Sequence, residues 1–96
     1  MIEPGSRVLV VGLARRSPLP GWARDALLLA GIGAEDDVYA ARRECASFDN
    51  VLFAPGSRGE IPWREAYFDL ILDTEGGPPT AEMERVLAPG GRIAVV

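Results

Sequence analysis

A chain of ninety-six residues, 48% of them apolar, is long enough for one small domain over residues 1–96, and no apolar run in it is long enough to span a membrane. The net charge is −4 and all ten cations are arginine, a balance that argues against non-specific nucleic-acid binding by the domain as a whole. There is no histidine, which removes the commonest general base and the commonest metal ligand, so neither a metal site nor a catalytic residue is assigned.

In chain order, Pro4-Gly5-Ser6 introduces Arg7–Gly12, whose consecutive apolar residues fit a central parallel strand covered on both faces. An Arg-, Pro- and Gly-rich loop follows. Trp22, Ala23, Ala26, Leu27 and Ala30 then recur at helical spacing, which predicts a helix ended by Gly31. Asp37–Ala41 reads as a second strand and Arg42–Asn50 as a single helical turn or short helix. Val51–Ala54 reads as a third strand, and Ile61–Tyr67 as a turn or short helix with Trp63 packed inward.

The last third is the most legible. Phe68–Asp73 is a strand, and Gly76-Gly77-Pro78-Pro79 breaks it. Met83, Val86 and Leu87 mark one face of a helix, Pro89-Gly90-Gly91 stops it, and Arg92–Val96 is another buried-type strand. Strand, helix and strand in this order make a right-handed crossover between parallel strands. The fold class expected is α/β, a mostly parallel open sheet with few covering helices.

The wording of these segments resembles class I S-adenosylmethionine-dependent methyltransferases. Phe68–Leu72 with Glu84–Val96 is similar to that family's fourth and fifth strands, Glu3–Gly12 to its first, and Val51–Leu72 to its third strand and the approach to the fourth. The resemblance implies a truncated Rossmann fold with strand order 3-2-1-4-5, a much reduced helix between strands 2 and 3, and no strands beyond the fifth.

It also implies where a cofactor would lie. The family's first motif places glycines after strand 1, and here Gly12 keeps its place while Val10, Ala14 and Arg16 depart from the pattern. The ribose-binding acid after strand 2 falls near Ala41 or Arg42, with Glu44 as a substitute. Asp73 is the acid in a family-like position, and its plain reading is a turn carboxylate before Gly76-Gly77. The cofactor-binding candidates are therefore Gly12, Ala14, Glu44 and Asp73. Arg15, Arg16, Arg42, Arg43 and Arg58 follow strands 1, 2 and 3, where open α/β sheets bind ligands, and form a candidate anion set. Solvated arginines paired with nearby acids are the alternative. The lone Cys45 excludes an internal disulfide, suits a reducing cytoplasm, and reads as a small buried hydrophobe. The start Met-Ile-Glu-Pro lacks a signal-peptide pattern, and the Gly, Ala, Pro and Arg bias fits a GC-rich bacterial genome.

Three functional readings follow. The first is a degenerate methyltransferase-like domain, without cofactor, acting as a binding or assembly module. The second is an S-adenosylmethionine-dependent methyltransferase with an atypical or partner-completed site. The third is a domain that binds an anion or nucleotide through the arginines. The sequence favours the first. It also predicts a homodimer through Arg92–Val96, or a partner protein completing the sheet, because Ile93–Val96 carries no charge or proline to blunt an edge.

Overall fold

The computed structural model describes residues 2–13 and 17–96. The elements are β1 (Arg7–Val11), α1 (Leu19–Asp25), β2 (Leu28–Gly33), α2 (Glu35–Glu44), β3 (Val51–Pro55), β4 (Phe68–Asp73), α3 (Ala81–Val86) and β5 (Leu87–Val95). All five strands are parallel, in the order β3-β2-β1-β4-β5.

The central strand is apolar throughout because both of its faces are covered. Val8 and Val10 pack with Leu19, Ala23, Val38 and Ala41 of α1 and α2. Leu9 and Val11 pack with Met83 and Val86 of α3 on the other face. Such a strand has no polar alternation to show.

Between β1 and β3 the structure corrects the sequence reading. The helix expected over Trp22–Ala30 is confined to α1, which ends before Ala26, a residue in extended conformation. Leu28–Gly33 is the second strand, and the strand expected at Asp37–Ala41 is part of α2. Two glycines inside β2 explain the pattern. A Cβ on Gly31 would lie 2.8 Å from Leu13 Cδ2 and 2.9 Å from Phe53 Cδ1, and one on Gly33 would lie 3.0 Å from Leu13 Cβ. The strand is glycine-rich because Leu13 and Phe53 take the side-chain space. Asn50 then closes α1, its amide donating to Ala23 O at 2.8 Å and Ala26 O at 3.0 Å.

Nor is the helix between strands 2 and 3 reduced: α2, with ten residues, is the longest helix described. Its first turn carries Glu35, Asp36 and Asp37 and its last turn Arg42 and Arg43, an arrangement that matches the helix dipole. Arg42 reaches across to donate to Phe53 O at 2.9 Å.

Residues 56–67 form no helix. Their anchor is the Glu82–Arg85 pair on α3: Glu82 accepts from Ile61 N at 3.0 Å and Arg85 donates to Ile61 O at 2.9 Å. Arg85 Nε also donates to Glu82 Oε2 at 2.6 Å, and this bond, ahead of the one from Ile61 N, holds the Glu82 carboxyl down at about 2, below the usual carboxylate range. Trp63 is half-buried, edge-on to Phe68 with ring centroids 5.5 Å apart. α3 begins at Thr80, whose hydroxyl accepts from Met83 N at 3.1 Å. Leu87 opens β5 rather than extending the helix, and residues 88–91 loop out of the β4–β5 ladder before pairing resumes at Leu70 and Arg92. Among the described residues no helix is long and apolar enough to cross a membrane.

Candidate functional site

In this topology the chain leaves β1 toward β2 on one side and returns to β4 on the other. Ligands of open α/β sheets lie at the carboxyl ends of the strands where the order reverses in this way. Here that place is bounded by Gly12, Leu13 and the Asp73–Gly77 segment.

Gly12 leaves β1 with φ +99°, a conformation that glycine adopts without a Cβ clash. Its open side is covered. A Cβ there would strike Thr74 Oγ1 and lie 2.8 Å from Glu75 Cγ and 3.2 Å from Glu75 Cδ. The buried Thr74 hydroxyl stands 2.9 Å from Val11 O and 2.7 Å from Gly12 O, so its one proton is shared between two carbonyls. Thr74 N donates to Val11 O at 3.0 Å. On the β2 side, Leu13 folds over Gly31 and Gly33, and its N–H, like that of Gly12, donates to Ile32 O.

Asp73 is 1% exposed. Its Oδ1 accepts from Glu75 N at 3.0 Å and Gly76 N at 3.2 Å, a turn-capping role. Its Oδ2 lies 2.6 Å from Arg58 Nη1, and Arg58 is 20% exposed. Neither of those two atoms has an aligned hydrogen bond, so the contact is an ion pair alone. Arg58 also donates through Nη2 to Pro78 O at 2.7 Å and accepts at its carbonyl from the Thr80 hydroxyl at 2.6 Å. It thus stitches the loop after β3 to the loop after β4.

The expected site residues do not assemble as one group. Gly12, Asp73 and Arg58 come together. Arg42, Arg43 and Glu44 instead occupy the last turn of α2, which leads by way of Asn50 to the amino end of β3, away from Gly12 and Asp73, and Arg42 reaches only to Phe53 O midway along β3. The misplacement follows directly from the error in β2: the residues after the true second strand are Ala34 and Glu35. Ala14, Arg15 and Arg16 lie outside the described residues. Cys45 is buried, and burial, with Glu44 beside it, pushes its thiol up, away from the thiolate a nucleophile requires. Among the described residues no cluster of acids and cysteine is arranged to hold a metal. Sequence reasoning gave Leu13, Thr74 and Glu75 no part in covering Gly12, Gly31 and Gly33; for Leu13 the signal was a bulky residue directly after Gly12.

No protein-family model matches the chain, and no curated sequence does. Solved structures do. A S-adenosylmethionine-dependent methyltransferase from Aquifex aeolicus superposes with a TM-score of 0.85 at 22% identity, over 99% of this chain and 57% of that one. The [4+2]-cyclase SpnF gives 0.75 at 26% identity, over 98% and 39%. A chain of the Haloferax volcanii complex between a methyltransferase activator and a methyltransferase gives 0.73 at 20%, over 98% and 46%. The chain spans about half the length of these proteins. The likeness establishes a methyltransferase-like Rossmann fold.

Proposed function

We propose that this domain is a non-catalytic relative of the methyltransferase fold that works as a binding or assembly module. One observation carries the reading: Thr74 and Glu75 of the chain itself cover Gly12, where the fold would otherwise bring its backbone against S-adenosylmethionine. The residues present do not fit that cofactor. Asp73 is spent on Arg58 and on two backbone N–H groups, and no histidine is available as a base. The fold does not decide the matter, since a structure described as a [4+2]-cyclase shares it. Calorimetric titration with S-adenosylmethionine is expected to give no saturable micromolar isotherm. A micromolar isotherm would overturn this reading in favour of a methyltransferase. The anion reading gains no support from Arg42 or Arg58, which are engaged with Phe53 O and Asp73.

The partner we infer is a second copy joined along β5. The two outer strands of the sheet differ. β3 has Arg42 on Phe53 O and ends in Pro55, both devices that blunt an edge. β5 offers Val95 at 66% exposure and leads to Val96 at 46%. Strand pairing across a two-fold axis would cover both valines and satisfy the outer backbone groups. A partner of another kind is the alternative, and a structural neighbour from a complex with an activator protein lends that route support. Sedimentation of the parent is expected to give a dimer and Val95→Glu a monomer; a monomeric parent would remove the second copy from the proposal.

A further inference from the structure

We propose that Tyr67 and the two arginines over its ring, Arg7 and Arg64, form a docking site with the sheet face beside them at Leu28 and Leu52, and that its occupant is an acidic amphipathic segment of a partner protein. This surface is separate from the crevice at Gly12 and from the margin of β5. Neither cofactor titration nor sedimentation of the parent therefore bears on it.

The sheet is covered unevenly. α1 and α2 pack on one face, and α3, with six residues, packs on the other. The connection from β3 to β4 adds no helix to the α3 side. Ala30 packs on that side, and Leu52 is its register partner on β3, so Leu52 shares the face; it is 53% exposed. Leu28, two residues before Ala30, is half-buried on the same face and pairs in register with Arg7.

The arginines say what would cover these leucines. The guanidinium carbon of Arg7 lies 4.7 Å from the Tyr67 ring centroid and that of Arg64 lies 5.1 Å from it, so two like charges share one ring. Among the described residues neither has a carboxylate within ion-pair range, in contrast to Arg58 and Arg85. Asp69, level with Arg7 on β4, turns its Oδ2 to Arg7 N at 2.9 Å instead. In a chain of net charge −4 this is a local concentration of the opposite sign.

Tyr67 is a fixed platform. Its N–H donates to Val86 O at 2.9 Å, and its ring meets the buried Phe68 edge-on with centroids 5.0 Å apart. A guanidinium held over a ring keeps its edge N–H groups for carboxylate oxygens and is ordered before the partner arrives. A segment with apolar side chains along one side and carboxylates at its margin matches the leucines and the arginines together.

The probe is a dye-labelled helical peptide with leucines along one side and glutamates along the other, followed by fluorescence anisotropy at low salt. The parent is expected to bind it saturably, and Arg7→Gln with Arg64→Gln to bind it about tenfold more weakly. Leu52→Glu should weaken it at least as much. Arg24→Gln, at an exposed arginine of α1 on the other face, should change it by less than about twofold. If the double variant is unstable, Arg64→Gln alone alters only an exposed side chain and should still weaken binding about threefold. No saturable binding by the parent would overturn the site, as would equal weakening by Arg24→Gln. Equal affinity for the peptide with glutamine at every glutamate would overturn it too, and so would tighter binding of a dye-labelled oligonucleotide, which would give the arginines to phosphate.

Discussion

Asp73→Ala is expected to destabilise the domain by about 3–4 kcal/mol, because it leaves the Arg58 guanidinium without its counter-charge in a largely buried place. Breaking such a pair costs about 3–5 kcal/mol when both charges are buried, and Arg58 keeps some contact with water, which sets the value toward the low end. The N–H groups of Glu75 and Gly76 lose their acceptor at the same time. For a chain of this size the melting temperature should fall by roughly 15–25 °C. Asp73→Asn retains an oxygen for the turn but not the charge, and should recover only a part of the loss. Urea denaturation measures both. A cost for Asp73→Ala below about 1 kcal/mol would mean that water already compensates Arg58.

The second large effect is at Gly12. Gly12→Ala places a Cβ on a backbone with φ +99° and drives it into Thr74 and Glu75. Left-handed strain contributes about 1–2 kcal/mol and overpacking about 1–3 kcal/mol, so a loss of about 3 kcal/mol is expected. The two parts separate in a double-mutant cycle. In a Glu75→Ala background the steric part should shrink while the backbone strain remains, giving a coupling of about 1 kcal/mol. Strict additivity would show that Glu75 does not rest on Gly12 in solution.

Residues that carry a structural meaning by themselves were legible in the sequence. Val8–Val11 and Phe68–Asp73 are strand formers buried on both faces, and the strand order followed from the resemblance they support. Leu28–Gly33 was not legible. A short apolar run with two glycines has no period of its own, and Trp22, Ala23 and Ala26 just before it extended a helical spacing into it. What decides the matter is Leu13 and Phe53 pressing on Gly31, a contact between residues far apart in sequence. That one misreading moved the end of the second strand and set Arg42, Arg43 and Glu44 beside Gly12 and Asp73, from which α2 leads away. Asp73 was singled out by its position in the resembled family, and its plain reading as a turn carboxylate before two glycines is the one that its bonds from Glu75 N and Gly76 N fit. Its partner Arg58 was placed near by topology, but their pairing needed the fold.

The contact of Arg42 with Phe53 O has a consequence for the size of any assembly. A two-fold pair built along β5 would present β3 at each of its outer limits, since β3 and β5 are the two ends of the strand order. Both limits would then carry an arginine on the central carbonyl and a proline at the last position. The sheet would have a valence of one: able to join once, and sealed against further addition. Growth into a fibril requires a second open margin, and α2 withholds it.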